Sequence, residues 1–275
     1  MTAHSKSAAS VSKTFKTFLN SVPVSVALYL AVIFGIVWLA YSGAQAMGYN
    51  WQWYRIPQYF YTLTDDGFQW GEIMIGLVKT IQLSATSFLF ATLLGLLVAL
   101  LRLSGLVMGS AVAIVFLEFV RNMPILVLLY LFYYVLGPVF SLDRYTASVL
   151  CLAVFHAALI SEIFRAGINS VPKGQWEGAT SIGMSKMQTY LYIVLPQSIK
   201  FMLPPMTGEV VHLVKSSAIV SVIAVAELTT IGRNLISDTY MSFEIWFTIA
   251  AVYLVLTLAL SVGVSHIEKK YAVQT

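Results

Sequence analysis

The chain has 275 residues, of which 59% are hydrophobic and only 10% charged, with a formal net charge of +4. A soluble domain carries about 25% charged residues, so water is excluded as the solvent for most of this chain and lipid takes its place. The charge balance is ordinary for a membrane protein and calls for no nucleic acid. The single cysteine, Cys151, cannot form an intrachain disulfide and lies in an apolar run, which marks it as a small core residue.

A membrane-spanning helix needs about 20 apolar residues. In chain order the runs 23–43, 73–101, 106–138, 146–168, 202–226 and 243–265 qualify. The basic, Ser-rich stretch 1–22 reads as a cytoplasmic tail, because the apolar run after it is long and no A-x-A cleavage site follows. Pro124 falls inside the third run and predicts a kinked helix, since proline removes one backbone hydrogen bond and its ring clashes with the preceding turn. The fifth run opens on Leu203-Pro204-Pro205, and a regular helix is expected only after it.

Basic residues set the orientation. Lys6, Lys13, Lys16, Arg102, Lys173, Lys186, Lys200, Lys269 and Lys270 fall on one side of the runs, and only Arg55, Arg144 and Arg233 on the other. The first side is cytoplasmic, so both termini are expected inside. The 44–72 loop is then external, and its Trp51, Trp53, Tyr54, Tyr59, Tyr61 and Trp70 suit an aromatic belt at the interface.

The longest internal loop holds the stretch EGATSIGMSKMQTYLYIVLPQ, residues 177–197. It reads as two short helices forming a compact knob. Pro172 begins the first, Gly178 and Ala179 give it a smooth face, and Gly183 ends it. Ser185 and Gln188 make an S-x-x-Q capping box for the second, which Pro196 is expected to close. Met187, Leu191 and Val194 fall at helical spacing on that second helix.

This segment resembles the cytoplasmic signature of permease subunits of bacterial ABC importers. In that signature E-A-A is followed by G four residues after the last A, then by I and L-P. Glu177, Ala179, Gly183, Ile193, Leu195 and Pro196 keep the register, and Gly178 replaces the middle alanine, small for small. The flanking stretches SEIFRAGINSVPKGQWEGA (161–179), LVKSSAIVSVIAVAEL (213–228) and FVRNMPILV (119–127) look like the polar amino acid uptake branch. The resemblance covers roughly residues 73–270. It implies an all-α polytopic membrane bundle with the five-span core of a type I ABC importer permease, preceded by one extra N-terminal span. The chain then divides into the tail 1–22, the extra span and external loop 23–72, and a permease domain 73–270 with a coupling segment at 172–196.

The resemblance further implies a second permease subunit, identical or sister, a dimer of cytosolic ATPases that receives the knob, and a periplasmic binding protein that delivers substrate. ATP and Mg would sit on the ATPase, with no cofactor on this chain. The residues agree independently on one point: no G-x-x-x-x-G-K-[ST] occurs, so the chain has no phosphate loop of its own. The main rival reading is a secondary amino acid transporter driven by an ion gradient, which would also bury charges near mid-membrane, and the second is a membrane scaffold or sensor without transport.

Ionisable residues inside spans are expensive and default to function. Glu118 and Arg121 stand three apart, as do Glu162 and Arg165, while Glu209, His212 and Lys215 follow at three-residue steps. Residues three apart share a helix face, so each set can pair within its own helix. Two readings stand for these sets: structural neutralisation, or a substrate pathway of Glu118, Arg121, Asn122, His156, Ser161, Glu162, Glu209, Lys215 and Ser216. Within the pathway reading, Arg121 or Lys215 meets a substrate carboxylate and the other has a structural partner. His156 stands alone on its apolar stretch and reads first as a packing residue. The four histidines show no H-x-x-x-H or clustered-Cys spacing, so spacing gives no metal site. Nor does it give an enzyme. No H-E-x-x-H occurs, and Gly183-Met184-Ser185 has neither a strand before it nor a nearby His, so helix capping explains Ser185.

Overall fold

The structure, a computed structural model, describes residues 22–64 and 67–271. The chain forms two compact units, residues 1–51 and 52–275. The tail expected at 1–22 lies, apart from Val22, outside the described residues.

In the first unit, α1 (Val22–Ala46) has no buried residue. Twenty-five apolar-rich residues reach about 38 Å at 1.5 Å per residue, more than enough for a hydrocarbon layer of about 30 Å.

The second unit takes in the latter part of the 44–72 loop. A short 3-10 turn at Trp53–Tyr59 leads into an antiparallel hairpin, β1 (Tyr61–Thr64) and β2 (Gly67–Trp70), with Tyr61 opposite Trp70. Tyr59 departs from the expected aromatic belt. It is buried with Ile56 against Ile73, Leu228 and Ile245. Gly71 makes that packing possible: a Cβ there would stand 2.3 Å from the Tyr59 carbonyl.

Helix α2 (Glu72–Leu103) is the central element. Its buried seam includes Gly76, Thr80, Ser84, Ser87, Ala91, Gly95 and Ala99, small residues at steps of three and four. In lipid, helices associate by close packing and not by escape from water, so such a seam is what lets a neighbour approach. At its start Gly76 and Thr80 meet Leu228 and Ile231, and farther along the neighbour is α5 (Arg144–Asn169), which contributes its own small residues Ala153, Ala157 and Ala158. A Cβ on Gly95 would meet Ile160 Cγ2 at 2.8 Å. Asp143 caps α5 by accepting from the amides of Tyr145 and Thr146. Its hydrogen bond with Thr146 holds its carboxyl below the ordinary 3.8. Cys151 is fully buried on this helix.

The third run does not form one kinked helix. α3 (Val107–Arg121) and α4 (Ile125–Phe140) meet at 105°. Pro124 supplies no N–H, and its ψ of 134° puts the chain in extended geometry between the two. Inside α4 the turn Leu131–Leu136 widens to π-helix just ahead of Pro138, where the missing N–H would otherwise break the ladder.

The fifth run also departs from expectation. After α6 (Lys173–Ser181) comes α7, continuous from Lys186 to Ile223. Pro196 does not close a short helix, and Pro204-Pro205 do not delay a long one. A π turn at Thr189–Val194 absorbs Pro196. Gln197 and Thr207 donate to the carbonyls of Ile193 and Leu203. Lys200 therefore lies within a helix and not in a loop. Beyond α7, α8 (Leu228–Thr239) and α9 (Ser242–Tyr271) complete the unit. Among the described residues, five helices are long and apolar enough to cross a membrane, or six if the bent α3–α4 pair forms one span.

Candidate functional site

Two polar regions stand out against the apolar helices. The first is the knob. α6 ends in a Schellman motif: Gly183 N–H donates to the Thr180 carbonyl at 3.0 Å and Met184 N–H to the Ala179 carbonyl at 3.1 Å. This closure needs a left-handed residue, and Gly183 has φ +78°. Two residues on, Ser185 and Gln188 exchange the capping-box bonds: Ser185 N–H to Gln188 Oε1 at 2.8 Å, and Gln188 N–H to Ser185 Oγ at 3.3 Å.

The knob is pinned from behind. Ala179 is buried, and the Trp176 ring stands edge-on to Tyr190 at 5.1 Å. Ile168, Val171, Val194 and Met202 pack beneath them. Glu177, Gly178, Gly183, Leu195 and Pro196 face outward, and Ile193 is half-buried. The anticipated stripe splits: Val194 is buried, while Met187 and Leu191 are exposed. Ile182, Met187 and Tyr192 are each about two-thirds exposed or more, at 77%, 67% and 69%. They form an apolar tip with no cover among the described residues.

The second region lies along α5 and α7. His156, fully buried and about halfway along α5, does not stand alone. Its Nδ1 lies 2.5 Å from Glu209 Oε1 on α7. The other oxygen, Glu209 Oε2, lies 3.6 Å from Nδ1 of His212, whose side chain is 50% exposed. The two imidazole rings stand edge to face at 5.2 Å. The expected series along α7 therefore stops after His212. Lys215 is exposed in a groove with Ala218, Ala250, Tyr253, Leu254 and Thr257, and makes no ion pair among the described residues. Ser216, beside it, is half-buried.

Of the other two sets, one departs from expectation and one meets it. Glu118 does not pair with Arg121; its Oε2 accepts from Asn122 Nδ2 at 3.0 Å. Arg121 is exposed beside the α3–α4 break and has no ion pair among the described residues. Glu162 does pair with Arg165, at 2.7 Å, and also with Arg102 of α2. That second partner, 60 positions away, ties α2 to α5 and makes Glu162 a brace. Ser161 is buried and donates to its own helix at Ala158 O, 2.9 Å.

Sequence reasoning missed two buried carboxylates. Glu227 caps α8, accepting from the amides of Thr229 and Thr230 at 2.8 and 2.7 Å and from the Tyr253 hydroxyl at 2.9 Å. Burial pushes its carboxyl above the ordinary 4.5, against the pull of those hydrogen bonds. Glu244, fully buried, accepts from the Gln52 amide at 2.6 Å. The E-L-T-T order at 227–230 held the first signal, as an N-cap carboxylate two and three residues before the threonine amides it meets.

A family model described as binding-protein-dependent transport system inner membrane component matches residues 91–273. The chain belongs to this family. The "Probable glutamine ABC transporter permease protein" of Bacillus subtilis (strain 168) is 36% identical over 198 residues, 72% of this chain and 92% of that protein. The glutamine transport system permease protein of Escherichia coli (strain K12) is 32% identical over 71% of this chain and 90% of that protein. Among solved structures, an amino acid ABC transporter crystallised with histidines matches at TM-score 0.68 and 37% identity. It covers 72% of this chain and 94% of that one. An inward-facing methionine ABC transporter shares the fold at TM-score 0.63 and 20% identity.

The permease is thus an all-α multi-pass inner-membrane subunit, with the β1–β2 hairpin as its strand element among the described residues. It performs no bond chemistry itself. It works with an ATPase and a substrate-binding protein, as its family does.

Proposed function

We propose that this permease moves a polar amino acid inward by alternating access, driven by ATP and Mg bound on a separate ATPase dimer. The knob, with Glu177, Gly178, Ala179, Gly183, Ile193, Leu195 and Pro196, is the coupling element. Both termini are cytoplasmic, a second permease subunit completes the pathway, and a periplasmic binding protein supplies substrate.

The observation that carries this reading is the build of the knob. Its rear is fixed by Trp176 and Ala179, its turn is closed by Gly183, and its apolar tip of Ile182, Met187 and Tyr192 is left bare. A rigid apolar tip on the basic side of the spans fits a groove in a soluble partner, and a moving partner would carry it without bending it. The relatives' names support the amino acid class. So does the chemistry of the bundle. Lys215 and half of the His212 side chain are exposed on a membrane helix, and lipid around a charged group is costly. A second subunit enclosing a polar path removes that cost. In such a path Arg121 or Lys215 can meet the α-carboxylate common to every amino acid, Arg121 with the better fork for two parallel hydrogen bonds.

The test is uptake. The complex of permease, ATPase and binding protein is reconstituted in vesicles and offered a panel of labelled amino acids. ATP-dependent accumulation of at least one polar amino acid is expected. Absence of ATP-dependent uptake across the panel, with ATPase and binding protein both bound, overturns the reading.

A further inference from the structure

We propose that His156, Glu209 and His212 form a binding site for one divalent transition-metal ion of the zinc class, bridging α5 and α7. Two imidazoles and a carboxylate are the donor types such an ion prefers. One ligand atom from each residue lies within 4.8 Å of the others. Around a tetrahedral zinc, with bonds of 2.0–2.2 Å, neighbouring ligand atoms stand about 3.4 Å apart. The Glu209 Oε2 to His212 Nδ1 separation of 3.6 Å already meets that spacing. The His156 to Glu209 contact of 2.5 Å has only to open by roughly an ångström.

A second observation points to a cation. His156 is fully buried, its Nδ1 faces a carboxylate, and its Nε2 has no hydrogen-bond partner. Neither ring nitrogen meets a donor from the protein. A neutral imidazole carries a lone pair on one of its nitrogens, so the three side chains together can offer lone pairs to a cation. His156 is hydrogen-bonded through Nδ1 alone, whereas buried ring nitrogens are ordinarily paired. Either a proton shared with Glu209 or a metal ion completes this one. His212 decides the route in. Its half-exposed side chain opens the group on one side, which gives the ion an entry and leaves a fourth position for water or another ligand.

Because the ligands come from two helices about halfway along their spans, an ion here pins α5 to α7. Any transport step that slides one helix past the other would then stop. This last consequence rests on the alternating-access reading; the binding itself does not.

The experiment uses the purified full chain without an affinity tag, titrated with Co²⁺ and followed by visible absorption. Expected are bands of four- or five-coordinate cobalt that saturate at one ion per chain and disappear when Zn²⁺ is added. His4 and His266 are the other imidazoles in the chain, so a His4→Ala/His266→Ala variant should keep the bands. His212→Ala, at a half-exposed position, should keep the fold, judged by its metal-free melting temperature, and weaken binding at least about tenfold. Glu209→Gln should do the same. A parent chain that gives no bands carries a proton-bridged pair only, and the proposal fails. It fails equally if the bands survive His212→Ala and Glu209→Gln. Transport is not read in this experiment, so its failure leaves the proposed function standing.

Discussion

Gly183 offers the sharpest test of the knob, because its conformational role separates cleanly from contact with a partner. With φ +78° and nothing within 4 Å of an added Cβ, Gly183→Ala meets no steric obstacle. What remains is the left-handed backbone, which costs a β-carbon residue about 1–2 kcal/mol. That lowers the population of the closed turn roughly 5–30-fold and leaves the Ala179 and Thr180 carbonyls without their amides. Asparagine visits this backbone region far more readily than alanine, so Gly183→Asn should restore most of the loss. Gly183→Asp tolerates the turn too, but adds a charge beside the bare apolar tip. The readouts are membrane expression, co-purification of the ATPase and substrate-stimulated hydrolysis. Expected is normal expression throughout, impaired coupling in the alanine variant, near-parental coupling with asparagine, and loss with aspartate. An alanine variant that couples like the parent refutes the conformational argument. An asparagine variant as damaged as the alanine one refutes it too, and points to steric contact at that position.

Other outcomes follow from single features. Arg121→Gln and Lys215→Gln, made separately, should assemble with the ATPase, and at least one should show reduced uptake; two variants that transport normally would make both charges structural. A reporter fused after Thr275 should read cytoplasmic and one in the 44–72 loop external, and the reverse result would put the knob on the wrong side of the membrane. Gly95→Ala forces a methyl to 2.8 Å from Ile160 Cγ2 and 3.0 Å from the Ala157 carbonyl, so it should lower stability by about 1–3 kcal/mol, seen as a lower melting temperature in detergent. Burial raises the Glu227 carboxyl above 4.5, so the folded chain holds that proton more tightly than the unfolded one. The stabilisation is therefore complete below about pH 4.5 and lost as pH climbs through the raised value. Glu227→Gln should remove that part of the pH dependence in melts between pH 4 and 8.

The amino-acid sequence alone determined whatever depends on neighbours along the chain. The apolar runs, the Ser185–Gln188 box and the glycine turn at 183 are local, because helix length, capping and backbone freedom act over a few residues. Proline was legible as a perturbation but not in its effect. The chain breaks at Pro124 into helices 105° apart, yet runs unbroken through Pro204 and Pro205. Pro124 lies in extended backbone between two helices, whereas Pro204 and Pro205 keep helical backbone within one, and residue type alone does not make that choice. Only the tertiary structure decided the partners of the buried charges. His156 and Glu209 are 53 positions apart, and Arg102 and Glu162 are 60. Spacing within one helix suggested Glu118 with Arg121 and Glu209 with His212 and Lys215, since three-residue steps share a face. A face shared along one helix competes with a neighbour packed across it. The small-residue seam of α2 draws α5 close, and α7 lies against α5 near enough for Glu209 to reach a buried imidazole. Where helices approach so closely, the carboxylate facing across the interface is bound by the helix opposite, and no periodicity in a single segment can name that partner.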